Sequence, residues 1–133
     1  MIVDSSAIIA VLKDEPEAEA CLYALEMSSE RRMSAATFFE ASIIIDSSRN
    51  HFVVLEYERF LATYNVIIEP VTEVQAKIAW QAYREFGRGS GNPAQLNFGD
   101  CFAYALAKDR NEPLLYKGSD FVHTDIRSAL EER

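Results

Sequence analysis

Four carboxylates stand where solvated surface charges are not expected: Asp4, Glu40, Asp100 and Asp120. Asp4 follows the apolar pair Ile2-Val3, and Asp120 follows Leu114-Leu115-Tyr116 across the turn residues Gly118-Ser119. Glu40 and Asp100 fall on apolar stretches with helical spacing. Two carboxylates about 4 Å apart repel by roughly 4 kcal/mol at an effective dielectric of 20. A chain that collects four of them must protonate some or supply a cation. Oxygen ligands of this kind suit a hard divalent ion such as Mg²⁺, and the chemistry such an ion supports is attack on a phosphodiester.

Each acid also has a plainer local reading. Asp4 precedes Ser5-Ser6 and suits the N-cap of a helix. Glu40 has Ala36, Ile43 and Ile44 as its i−4, i+3 and i+4 neighbours, so its face is apolar; the alternative is a carboxylate at the edge of an apolar stripe, reaching water. Asp46, beside Ser42 and Arg49, is by contrast an ordinary surface acid. Asp100 stands three residues after Asn97, the spacing of a capping interaction, yet Ala103, Tyr104 and Ala107 share its face. Gly99 beside it permits close approach of backbone or ligand. Asp120 also fits a simple turn. Any one local reading suffices alone; four together are a coincidence.

Placing these acids requires a fold. The 133 residues suit a single domain spanning residues 1–133. Ile2-Val3, Arg32-Met33-Ser34, Val66-Ile67-Ile68 (as a buried strand) and Leu114-Leu115-Tyr116 are the strand candidates. Helices are expected from Ala7 to Leu12, from Pro16 to about Met27, from Ala36 to about Ser48 and from Phe52 to Tyr64. Two more should run from a Thr72–Gln75 capping box to near Gly87, and from Asn97 to about Arg110. Residues 88–93, Arg-Gly-Ser-Gly-Asn-Pro, form the clear flexible loop. Strands separated by helices imply an α/β fold with a parallel sheet covered on both faces. Sites in such sheets form beyond the carboxyl ends of the strands, where Asp4 and Asp120 fall.

The bulk properties exclude several classes. Hydrophobic content of 49% with 26% charged residues matches a globular chain rather than a disordered one. No apolar run approaches the roughly 18–20 residues of a membrane span, and Met1-Ile2-Val3-Asp4 lacks a basic signal-peptide start, so a cytoplasmic location is expected. Cys21 and Cys101 form no CxxC pair and read as small buried hydrophobes. His51 and His123 have no zinc-ligand spacing. A net charge of −8 runs against nucleic-acid binding, but four of the 21 acids are the cluster itself, and bound divalent ions would offset them.

Four segments together resemble the signature blocks of the PIN domain: Met1-Ile2-Val3-Asp4-Ser5-Ser6-Ala7, Ser34-Ala35-Ala36-Thr37-Phe38-Phe39-Glu40-Ala41, Leu96-Asn97-Phe98-Gly99-Asp100-Cys101-Phe102-Ala103-Tyr104-Ala105, and Leu114-Leu115-Tyr116-Lys117-Gly118-Ser119-Asp120-Phe121. The resemblance spans nearly the whole chain, with the blocks in order and at family-like spacing, and more narrowly it is to the toxins of bacterial VapBC toxin–antitoxin pairs. The resemblance implies a three-layer α/β/α sandwich with a short, mainly parallel central sheet. It also implies an endoribonuclease dependent on Mg²⁺ or Mn²⁺, its acids mapping onto Asp4, Glu40, Asp100 and Asp120. Ser5 or Ser6 matches the family's small hydroxyl residue, whereas Ser119 stands where relatives often carry Asn or Asp. A homodimer and a cognate antitoxin covering the active site are the partners implied.

On this reading Asp4 and Asp100 are the principal metal ligands, Glu40 binds the ion through water or orients the attacking water, and Asp120 completes a second site. Ser6 hydrogen-bonds either a carboxylate or the scissile phosphate. Arg84, Arg88 and Lys117 are candidate RNA-phosphate contacts, with ordinary solvated charge as their alternative. Tyr104 and Phe121 are expected in the core rather than as base-stacking platforms. The apolar helices near residues 8–12 and 52–61 offer a surface for a partner helix, or else core or dimer contacts. The rival reading is a non-catalytic PIN-fold binding module. A haloacid-dehalogenase-like phosphatase wants a second Asp where Ser6 stands, and no Walker-type loop is present.

Overall fold

The computed structural model describes residues 1–130. Four short parallel strands form the sheet: β1 (Ile2–Val3), β2 (Arg32–Ser34), β3 (Ile67–Glu69) and β4 (Leu114–Leu115), in the order β3-β2-β1-β4. Six helices connect them: α1 (Ser5–Leu12), α2 (Ala18–Met27), α3 (Ala35–Ser47), α4 (His51–Thr63), α5 (Glu73–Phe86) and α6 (Phe98–Arg110).

The two-residue period of a strand divides the core into two layers. Ile2 and Leu114 face one cluster with Ala79, Ala82 and Phe86 of α5 and Ala103, Tyr104 and Leu106 of α6. Val3 and Leu115 face the other, with Ala7, Ile8, Cys21, Leu25, Ala41, Ile45, Tyr57 and Phe60 from α1 to α4. Helices therefore cover both faces, the three-layer α/β arrangement that the alternation predicts. Tyr104 and Phe121 are core residues, 5% and 2% exposed, and both cysteines are buried and unpaired. No helix of the described residues is long and apolar enough to cross a membrane.

Local differences from the sequence reading have identifiable causes. The helix expected from Pro16 begins at Ala18, with Glu17 as its cap. Residues 66–68 are not a buried strand: β3 spans Ile67–Glu69 at the sheet edge, pairing with β2 alone. Ile67 and Ile68 consequently stay partly exposed, since an edge strand has a neighbour on one side only. The Thr72–Gln75 box is half formed. Thr72 accepts from the Gln75 backbone N–H at 3.1 Å, but the Gln75 side chain donates to Asp109 of α6 at 3.2 Å and so ties α5 to α6.

Candidate active site

Asp4 leaves the central strand β1 and caps α1. Its Oδ2 accepts from the Ser6 backbone N–H at 3.1 Å and from the Ser6 hydroxyl at 2.6 Å. Ser6 Oγ in turn accepts from the Lys117 backbone N–H at 3.0 Å, which fixes the start of α1 to the segment leaving β4. The cap and the site role thus belong to one residue, and the Ser6 hydroxyl serves a carboxylate. Asn97 and Asp100 form a complete capping box. Asn97 N–H donates to Asp100 Oδ2 at 3.0 Å, and Asp100 N–H to Asn97 Oδ1 at 2.9 Å. The electropositive N-terminal ends of α1 and α6 favour the carboxylates placed there.

Asp4, Ser5, Ser6, Glu15, Glu40, Asn97, Asp100, Lys117 and Asp120, with Ile9 and Ile44, line one open cavity of about 400 Å³. All four predicted acids are on its wall, delivered by residues 4, 40, 100 and 120 from four separate parts of the chain. Glu40 is half-buried on α3, its Oε1 accepting from the Ser5 hydroxyl at 3.2 Å. The apolar face expected around it is not core: Ile43 and Ile44 are exposed. The inward face of α3 is instead Thr37, Ala41 and Ile45, and Glu40 stands at its border.

The electrostatics report an uncompensated group of acids. Burial pushes the Asp4 carboxyl above its ordinary value, opposed by the Ser6 hydrogen bonds and reinforced by the charge of Glu40. Burial likewise raises Glu40, against the Ser5 hydrogen bond and with the charge of Asp100. Asp100 is pushed up to about 6, by burial first and then by Asp4 and Asp120; the Asn97 N–H and Arg88 act the other way. Arg88 is therefore the basic candidate that the acids sense. Lys117 lines the cavity but its Nζ pairs with Glu15 Oε2 at 2.8 Å. Arg84 does not line the cavity and lies over the Trp80 ring, 4.8 Å from its centre.

Among the described residues, no three His, Cys, Asp or Glu side chains are packed together as a ready-made cation cage. The donor set nonetheless fits a hard cation. It is all oxygen, holds more negative charge than its surroundings neutralise, and opens to water, as suits an ion that keeps several waters and takes one or two carboxylates. Glu15 is the wall residue the sequence reading missed. It lies in Lys13-Asp14-Glu15-Pro16, a charged run that reads as surface, and only its pairing with Lys117 across 102 residues reveals its place.

The PIN domain family matches residues 1–127. The chain belongs to the PIN-domain family. Ribonuclease VapC28 of Mycobacterium tuberculosis is 52% identical over 133 residues, covering the whole of both chains. Ribonuclease VapC42 of the same organism is 46% identical over 129 residues, 97% of this chain and 98% of the relative. This PIN domain is thus of the VapC ribonuclease type. Its fold is shared with M. tuberculosis VapC20, described as a Sarcin-Ricin loop cleaving toxin, at a TM-score of 0.71 and 15% identity over 95% of this chain and 98% of that one. It is shared as well with a toxin–antitoxin complex from Klebsiella pneumoniae, at a TM-score of 0.69 and 17% identity over 93% and 92%.

Proposed function

We propose that this PIN-domain cleft hydrolyses RNA phosphodiesters with Mg²⁺ or Mn²⁺, and that the chain is the toxin of a type II toxin–antitoxin pair that inhibits translation and growth. The observation that carries the reading is the convergence of four carboxylates on one open cavity, with Asp4, Glu40 and Asp100 raised chiefly by burial. Whole-length identity to a protein named Ribonuclease VapC28 supports RNA as the substrate. Retention of all four acids disfavours a purely binding role.

A bound divalent ion supplies an acidified water and counter-charge for the phosphate. Asp4 and Asp100 would hold it, with Asp120 available to a second ion. The Ser6 hydrogen bonds keep Asp4 in one orientation, and the capping box does the same for Asp100. Glu40, whose carboxyl burial raises above its ordinary value and whose Oε1 is held by the Ser5 hydroxyl, would orient the attacking water and accept its proton. Arg88 and Lys117 would meet the RNA backbone at the cavity rim. The position of Arg84 argues for a structural role instead.

The antitoxin is proposed to cover the cleft along α3 and α4, where Phe39, Ile43, Ile44, Phe52 and Leu55 are exposed and Ile44 reaches the cavity. On α1, by contrast, Ile8 and Ala10 are buried, so that helix offers a partner little. The homodimer has a candidate face of its own, the apolar groove of about 410 Å³ between α5 and α6 with Trp80, Tyr83, Phe98 and Phe102. The deciding experiment incubates antitoxin-free protein with a panel of structured RNAs in Mg²⁺, Mn²⁺ or EDTA. Metal-dependent cutting that disappears in Asp100→Asn supports the proposal. No cutting by folded, metal-supplied protein refutes it.

A further inference from the structure

Helix α6 opens with Phe98-Gly99-Asp100, and Gly99 has nothing to do with a turn: it lies inside the first helical turn, where glycine is a poor choice. The reason lies across the cavity. A Cβ placed on Gly99 would fall 1.8 Å from Glu40 Oε2 and 2.6 Å from its Cδ. The Glu40 carboxylate therefore occupies the volume of the missing side chain, while its other oxygen accepts from the Ser5 hydroxyl at 3.2 Å. One face of the carboxylate is seated on the α6 backbone and one oxygen is tethered to the start of α1.

We infer that Gly99 is a positioning residue for the reaction, a bare seat that lets the Glu40 carboxylate stand between α1 and α6 within reach of the cavity. The inference rests on the reading of Glu40 as a working member of the site. Any side chain at residue 99 displaces the far end of a flexible glutamate rather than backbone, so the fold tolerates it and the site does not. Displacement of a reacting group by about 1 Å costs on the order of a hundredfold in rate. Gly99→Ala should therefore lower kcat at least about tenfold while leaving KM for RNA within about twofold.

The test is a cycle of Gly99→Ala, Glu40→Ala and the double variant, read by RNA cleavage in saturating Mn²⁺ and by thermal melting in EDTA. With Glu40 present, Gly99→Ala should reduce kcat and leave Tm near the parent value. In the Glu40→Ala background, the same substitution should change residual cleavage by less than about twofold and raise Tm by about 2 °C or more, because helix propensity then acts unopposed. Parent-level kcat in Gly99→Ala overturns the inference, as does an equal loss of rate in both backgrounds. Where Glu40→Ala cleaves too slowly to measure, melting decides: an equal Tm change in both backgrounds overturns the contact. Parent-level cleavage by Glu40→Ala overturns instead the catalytic reading of Glu40, an outcome separate from the melting cycle.

Discussion

Replacing Asp100 by Asn should stabilise the metal-free protein even as it removes cleavage. The Asp100 carboxyl is half-buried on α6 and raised from 3.8 to about 6, chiefly by burial and then by Asp4 and Asp120. A folded-state pKa above the unfolded value means that folding favours the protonated form. The charged form then opposes folding, not at all below about pH 4 and fully above about pH 6. A rise of this size corresponds to about 3 kcal/mol. Solvent at the cavity mouth screens part of it, leaving about 1–2 kcal/mol. Asn carries no charge and keeps an oxygen for the Asn97 N–H, so the capping box of α6 survives. The expected result in EDTA at pH 7.5 is a Tm about 3–6 °C above the parent. That advantage falls to about half near pH 5 and disappears toward pH 4. Saturating Mn²⁺ should reverse the order, since ligand at about a hundred times its Kd adds roughly 2.7 kcal/mol to the parent alone. Scanning fluorimetry across this pH range, with and without Mn²⁺, makes the comparison. An Asp100→Asn protein that melts at or below the parent in EDTA at pH 7.5, or whose advantage does not change with pH, would refute the electrostatic account of the cavity.

Other outcomes follow from the same geometry. Asp4→Asn should cut cleavage by at least about a hundredfold while α1 stays capped, because Asn is as good an N-cap as Asp; circular dichroism and RNA cleavage measured together check both halves. Lys117→Ala should weaken RNA binding and lower the slope of log Kd against log salt by about one if Lys117 exchanges Glu15 for a phosphate, and an unchanged slope places it with the structural ion pairs. Ile43→Asp should weaken antitoxin binding at least about tenfold without changing RNA cleavage; calorimetry with the cognate antitoxin decides, and unaltered affinity would move the docking face off α3.

Most of the architecture was legible because the chain alternates its periods. Ile2-Val3 and Leu114-Leu115 are apolar at consecutive positions, the mark of a strand covered on both faces, and each sends one residue into each core layer. Asp4, Glu40 and Asp100 were legible as well, as acids on or beside apolar segments, whereas Asp120 follows a turn and is exposed, so that its place on the cavity wall came from the fold. Other features depended on distant chain. Residues 66–68 look buried in isolation, and only the strand order leaves β3 at an edge. Ile43 and Ile44 look like core beside Glu40, but helical spacing identifies an apolar face without saying what covers it. The Gln75 side chain preferred Asp109, 34 residues away, to the local cap that its spacing suggested. Glu15 and Lys117 revealed their pairing only once the fold had brought α1 and β4 together.

The central strand β1 is synthesised before the other strands of its sheet, yet it hydrogen-bonds both to β2 and to β4, which is made more than a hundred residues later. Asp4 is likewise bound through Ser6 to Lys117. A ribosome adding about 5–20 residues per second therefore releases residues 1–110 with strand β1 still lacking a neighbour and the cavity still lacking a wall. Closure of the cavity waits for β4 and the segment that leaves it, so products truncated or stalled before that point carry Asp4, Glu40 and Asp100 but lack both Asp120 and the Lys117 N–H that holds Ser6. The topology thus ties completion of the cavity to completion of the sheet.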